Sequence, residues 1–246
     1  VRRVRRLLPD TGPTTVEEHY GRLGLTELGH DDRPWVIVNF AATVDGRATI
    51  DGRSGKIGSA TDSAILHRLR TQVDAVMIGA GTMRAERYGR MVPDPELRAW
   101  REQIGLAPDP LAVIVSGRLE LPWDAPLFSD GNGKVVIFTA SDAQPPATET
   151  AVEVVRHEGG VDLPGALAHL HGEHEIRALL CEGGPHLHAQ LWAAGLADEL
   201  FLTTAPKLAG GTAPRIVEGA LPDVTGLELV SLADEDGELY ARYRRA

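Results

Sequence analysis

Apolar runs rich in β-branched residues recur along most of this chain, each followed by a helical stretch, and that alternation limits the folds open to it. The runs are residues 35–42 (WVIVNFAA), 75–78, 111–115, 135–138, 152–155, 178–181 and 199–204. Strands that are apolar without polar alternation belong to sheets covered on both faces, and intervening helices belong to parallel connections. Between the runs, Thr61-Asp62 reads as a cap for a helix that puts Ile65, Leu66, Leu69 and Val73 on one face. Further helices are expected at 163–170 and 187–194. The C-terminal end differs: residues 227–232, a polar turn at 234–237 and residues 239–243 read as an antiparallel hairpin. Its apolar edge would call for a cover, which predicts a homodimer.

The expected fold is therefore α/β, a mostly parallel sheet flanked by helices with an antiparallel addition. Residues 1–33 read as an arginine-rich arm in which Thr14-Thr15-Val16-Glu17-Glu18 opens a short helix towards Leu23 as a capping box. Residues 34–246 read as one domain. The proline-rich stretch 91–110 reads as a surface excursion around a short helix.

Composition narrows the function. A formal net charge of −10 makes the chain as a whole a poor ligand for nucleic acid or anionic membrane. No apolar run approaches the roughly 18 residues of a membrane span, and Asp10-Thr11-Gly12-Pro13 interrupts any signal-peptide core, which predicts a cytoplasmic protein. The single cysteine, Cys181, ends an apolar run and reads as a buried small hydrophobe. The histidines at 169, 171 and 174 and at 186 and 188 have no carboxylate beside them at a familiar ligand spacing, so no metal is expected. The nucleophile-elbow and phosphate-loop lysine motifs are absent.

Ligands of open α/β sheets bind outside the carboxyl ends of the strands, and four loops there carry unusual residues. Residues 43–59 form a glycine- and charge-rich segment after the first core strand, either a surface hairpin or a ligand loop. Gly79-Ala80-Gly81-Thr82 and Glu182-Gly183-Gly184-Pro185 each join a strand to a helix. Glycines allow close backbone approach to an anion, and proline suits a first helical turn. Each alone fits a tight turn equally well; two at one sheet end suggest a dinucleotide. Neither is the Rossmann fingerprint, because Arg84 stands where its last glycine belongs. Ser116-Gly117-Arg118 offers a hydroxyl and a guanidinium suited to the 2′-phosphate of NADPH.

At these loops the chain resembles the reductase domain of the bacterial bifunctional riboflavin-biosynthesis deaminase/reductase, most of all stand-alone actinobacterial pyrimidine reductases of that family. The carrying motifs are ATVDG at 42–46, Leu69-Arg70, DAVMIGAGT at 74–82, EGGP at 182–185, GLADEL at 195–200 and APKLAGG at 205–211. The resemblance implies a dihydrofolate reductase-like fold, NADPH as cofactor, usually a homodimer, and hydride transfer to a ribosylamino-pyrimidine phosphate; the same chemistry on a pterin and a catalytically silent NADPH-binding protein are the alternatives. It implies cofactor contacts from Ala42, Lys56, Gly79, Gly81, Thr82, Glu86, Ser116, Arg118, Gly183 and Gly184, and from Pro185, His186 and Leu187 within the helix start 184–190. It implies substrate contacts from Ser54, Arg70 and Glu182, and catalytic roles for Glu182 and Glu86. Lys56 stands where the family commonly has tryptophan, and Glu86 where it has aspartate. Residues 86–90, ERYGR, replace its usual D-x-P-x-L. On the residues alone, Arg70 also fits a helix-surface ion pair and Glu86 a solvated carboxylate.

Overall fold

The computed structural model describes residues 2–246. Along the chain run β1 (Arg3–Leu8), β2 (Gly12–Thr15), α1 (Val16–His19), β3 (Trp35–Thr43), α2 (Ala60–Arg70), β4 (Ala75–Gly79), α3 (Ala80–Glu86), α4 (Pro95–Gln103), β5 (Leu111–Val115) and α5 (Pro126–Ser129). Then follow β6 (Lys134–Thr139), β7 (Ala151–Arg156), α6 (Leu163–His174), β8 (Ala178–Cys181), α7 (Pro185–Ala193), β9 (Glu199–Ala205), β10 (Leu227–Glu235) and β11 (Glu238–Arg245). The strands form a mixed, mostly parallel arrangement flanked by helices, with the antiparallel pairing contributed by the chain's two ends. Two compact units divide the residues: 1–24, 36–69 and 185–246 make one, and 25–35 with 70–184 the other.

The second unit is the α/β half anticipated from the apolar runs. Its strands lie in the order β8-β4-β5-β6-β7, every pairing parallel, with Met77 opposite Cys181 and Gly79 opposite Val115. All five residues of β4 and all four of β8 are buried, which is why neither shows polar alternation. The excursion 91–110 is less superficial than expected. Met91 and Val92 are buried, and Arg101 on α4 is wholly enclosed, its Nε donating to Ala107 O and its Nη1 to the carbonyls of Arg70 and Val73. Those carbonyls end a helix and precede a strand, so the guanidinium satisfies groups that the local chain leaves open.

The first unit has the strand order β2-β1-β10-β11-β9-β3, with β3 and β9 parallel and the others antiparallel. The hairpin is present, with longer strands and a tighter Asp236-Gly237 turn than the sequence suggested. Its edge is not open. The N-terminal segment pairs with β10 as β1, Arg5 binding Asp234 through two hydrogen bonds of 2.8 and 2.9 Å, and β2 pairs with β1 in turn. The Thr15/Glu18 capping box forms as read, but its helix stops at His19, short of Leu23. The cap of α2 also moves: Ser59, not Thr61-Asp62, accepts from the first-turn N–H groups, at 3.0 Å from Thr61 N. Thr61 lies within the helix, its hydroxyl bonded to Glu235. No helix among the described residues is long and apolar enough to cross a membrane.

Candidate active site

In the second unit the parallel order β8-β4-β5 sets three of the singled-out loops side by side at one sheet end. Gly79 closes β4 and caps α3, and its N–H donates to Gly183 O at 2.6 Å. Gly183 has φ +89°, and the Gly183–Gly184 peptide is cis. The packing explains the glycines. A Cβ on Gly79 would lie 3.3 Å from Gly184 N, and one on Gly184 would lie 3.0 Å from Thr82 Oγ1. The two glycine turns are thus one structure, each needing the other to lack a side chain.

Below them lies a buried charged cluster. Arg70, the last residue of α2, donates from Nε to Glu182 Oε1 at 2.6 Å and from Nη2 to Oε2 at 2.7 Å. Its Nη1 donates to Met91 O at 2.9 Å. Glu182 follows β8, its N–H bonded to Met77 O, and Tyr88 donates its phenol to Glu182 Oε2 at 2.9 Å. The Arg70 guanidinium lies 5.6 Å from the centre of the Tyr88 ring. Burial works against the charge on Arg70, but the Glu182 carboxylate outweighs it and holds the arginine protonated. Burial, reinforced by the same carboxylate, pushes the Tyr88 phenol well up, so it remains a donor at neutral pH. Of the two sequence readings for Arg70, the ion pair is formed, yet it is buried, and its partner, Glu182, is another of the expected substrate residues.

The remaining residues of this unit are more open. Ser116 is buried at the end of β5, its N–H bonded to Phe138 O. Arg118 is 81% exposed, 3.5 Å from Glu120. A Cβ at Gly81 or Gly117 would meet nothing within 4 Å, so the surface over both turns is open. Glu86 ends α3 on the exposed side. Cys181 is buried, its thiol pushed up to about 12 by that burial.

In the first unit, Ala42 is buried near the end of β3. Beyond it Asp45 knits two loops together, accepting from Thr43 Oγ1 at 2.6 Å and from the N–H groups of Ala209 and Gly210 at 3.1 and 2.7 Å. Those hydrogen bonds hold its carboxyl down at about 2. Ser54 and Lys56 lie in an exposed 3-10 turn, Lys56 paired with Asp51 at 2.7 Å. Pro185, His186 and Leu187 form the first turn of α7, where His186 Nδ1 meets Glu218 O at 2.9 Å.

Sequence reasoning missed Tyr88 and Asp45 as organising residues. In the sequence Tyr88 stands out only as part of the departure from D-x-P-x-L, and Asp45 only as a member of the charged segment 43–59 and of the ATVDG motif. It also found no carboxylate near the histidines, whereas the fold sets Glu153 of β7 against His169 and His174.

Glycine turns interlocked at the carboxyl ends of parallel strands, above a buried arginine–glutamate–tyrosine cluster and with antiparallel terminal strands, define an α/β protein of the dihydrofolate reductase-like class. The family model for the RibD C-terminal domain matches residues 34–238. This chain belongs to that family. It is 33% identical over 192 residues to the 2,5-diamino-6-ribosylamino-4(3H)-pyrimidinone 5′-phosphate reductase of Archaeoglobus fulgidus, a match covering 76% of this chain and 87% of that one. The Methanothermobacter thermautotrophicus protein of the same name is 32% identical, with 80% and 91% covered. Among solved structures, a pyrimidine reductase-like protein from Corynebacterium diphtheriae superimposes with a TM-score of 0.78 at 25% identity, covering 94% of this chain and 98% of that one.

Proposed function

We propose that the protein is an NADPH-dependent reductase of a ribosylamino-pyrimidine 5′-phosphate, converting the ribosyl group to a ribityl chain. The observation that carries this reading is the Arg70–Glu182–Tyr88 cluster, fixed beneath the interlocked glycine turns in a chain of this family. A buried carboxylate held by one cation and one phenol is a fixed charge whose place does not depend on solvent.

The residues present fit a dinucleotide. The open surface over Gly81 and Gly117 admits a phosphate-bearing backbone, and Arg118 is free to turn from Glu120 towards a 2′-phosphate. Gly79, Gly81, Thr82, Ser116, Arg118, Gly183 and Gly184 would hold the cofactor here, and the family resemblance assigns Ala42, Lys56, Glu86, Pro185, His186 and Leu187 to it as well. When bound, the cofactor supplies the hydride. The protein orients the sugar C1′, excludes water and fixes the Glu182 charge through Arg70 and Tyr88. Ser54 is assigned to the substrate. The decisive assay follows loss of nicotinamide absorbance with NADPH and a panel of ribosylamino-pyrimidine phosphates and pterins. Turnover of the pyrimidine phosphate is expected. Oxidation with a pterin alone would replace the substrate, and binding of NADPH without any turnover would reject the enzyme.

The working form is proposed to be a homodimer. With its edge covered by β1, the hairpin offers a face rather than an edge: Leu227 and Leu229 of β10 are about two-fifths exposed and Val224 is 98% exposed. They adjoin a groove of about 610 Å³ lined by Trp192, Leu200, Ile216 and Leu221. Apolar surface of that kind on a small protein marks an association site. Light scattering at assay concentration is expected to give twice the chain mass, and a monomer mass rejects the pairing.

A further inference from the structure

Away from the glycine turns, one cluster in the second unit has the donor set of a metal site. Glu153 stands on β7, the end strand of its sheet, while His169 lies in α6 and His174 is that helix's last residue. One ligand atom from each lies within 4.8 Å of the other two. His169 Nε2 is 3.2 Å from Glu153 Oε1, and His174 Nε2 is 3.4 Å from Glu153 Oε2. Ligands bound to zinc at about 2.0–2.1 Å in a tetrahedron sit roughly 3.3–3.4 Å from one another. The His169–Oε1 separation is close to that edge length, while the His174 contact runs to the other carboxylate oxygen.

Two details favour an ion over a simple polar contact. The His174 side chain is only 14% exposed, and its Nε2 has no hydrogen-bond partner among the described residues. A buried ring nitrogen in that state has given up water for nothing, a loss that a metal bond recovers. Lys134 Nζ meets Glu153 Oε2 at 2.7 Å from the solvent side, its own side chain 44% exposed. An outer donor on one carboxylate oxygen orients the group and leaves the other oxygen for an ion. His171, between the two ligands in sequence, is engaged elsewhere, with Nδ1 near Ile176 O and Nε2 near Arg177 Nη1.

We infer that Glu153, His169 and His174 form a binding site for one divalent transition ion of the zinc class, with water completing the tetrahedron. Two imidazoles and one carboxylate suit zinc far better than calcium or magnesium, which prefer all-oxygen sets. The ion would tie the end strand β7 to the last turn of α6, and so stabilise the native chain by mass action.

The test uses tag-free, chelator-stripped protein titrated with zinc chloride against a chromophoric chelator, with melting temperature followed in parallel. One equivalent at micromolar affinity or tighter, with a rise in melting temperature, is expected. The His169→Ala/His174→Ala double variant should lose that equivalent while retaining its circular dichroism, and Glu153→Gln should weaken it at least about tenfold. His171→Ala should bind as the parent does. If the double variant does not fold, His174→Gln carries the same comparison. Absence of a bound equivalent in the parent, or its survival in the histidine variants, overturns the site.

Discussion

Arg70 and Glu182 face each other fork to fork, two parallel N–H···O hydrogen bonds of 2.6 and 2.7 Å joining side chains that are 10% and 4% exposed. All three guanidinium nitrogens are committed, the third to Met91 O. Removing one member of such a pair strands the other charge in a dry place. Arg70→Ala should therefore cost about 3–5 kcal/mol of stability. Arg70→Lys should recover only part of that, since an ammonium cannot offer two parallel donors and a third to a carbonyl. Denaturant unfolding of the three proteins checks both statements. A parent-like midpoint for Arg70→Ala, accompanied by a rise in KM for the anionic substrate of at least about tenfold, would make Arg70 a substrate anchor instead.

Glu182→Gln keeps the side-chain shape and removes the charge. If that charge serves the reaction, kcat should fall by at least about tenfold while the dissociation constant for NADPH stays within about twofold. Steady-state kinetics beside fluorescence titration of NADPH separates the two. Weakened NADPH binding at unchanged kcat would move Glu182 to the cofactor.

Tyr88 donates to the same carboxylate, and Tyr88→Phe deletes that single hydrogen bond while leaving the ring beside Arg70. The expected loss is about 1.5–3 kcal/mol of the stabilisation of Glu182, read as a lower kcat at little changed KM. A variant with parent kinetics shows the phenol to be packing alone.

Arg118 tests the cofactor preference. A charge-assisted hydrogen bond to the 2′-phosphate is worth about 1.5–3 kcal/mol, or roughly ten- to a hundredfold in affinity. Arg118→Ala should narrow the ratio of kcat/KM for NADPH over NADH by about that factor, without altering the melting temperature, because its side chain is exposed. An unchanged ratio removes Arg118 from the cofactor site.

Much of this was legible from residues because the signals were local. Continuous apolar runs located β3 to β9, and the two glycine turns were identified from strand–glycine–helix order alone. What escaped depended on distant partners. Ser59 displaced Thr61-Asp62 as the cap of α2 while its own hydroxyl also binds Glu238, a residue far away in sequence. Nothing in an arginine-rich N-terminus announces a strand; its pairing with β10 is fixed by Arg5 meeting Asp234, again across most of the chain. Glu153 approaches His169 and His174 only because β7 packs near α6. A step of five positions from His169 to His174, with four residues between them, is not a one-face helical spacing, so no ligand motif could have been read.

The pH dependence of stability should turn on two buried groups of the first unit that pull in opposite directions. His188 donates from Nδ1 to Ile216 O and accepts at Nε2 from the Trp192 indole at 3.0 Å, with Phe40 stacked 4.6 Å away. Burial lowers its pKa from 6.5 to about 4, opposed by the Ile216 carbonyl. A second ring proton would point at the indole donor. Since the folded pKa is depressed, the neutral histidine's contribution is complete above pH 6.5 and is lost as pH falls towards 4. Asp62 behaves inversely. Burial, with Glu238 nearby, raises its carboxyl from 3.8 to about 6 despite a hydrogen bond from Thr203. Its contribution is complete below pH 3.8 and is lost as pH rises through 6. Each shift is on the order of 3 kcal/mol over its window, so between pH 4 and 6 the two largely cancel. Asp62→Asn removes one of them. The variant should melt higher than the parent at pH 8 and should lose stability more steeply than the parent between pH 6.5 and 4. Thermal melts of both proteins at half-unit intervals from pH 4 to 8 measure this directly. Parallel curves for parent and variant would show that Asp62 is ionised in the fold at its ordinary cost.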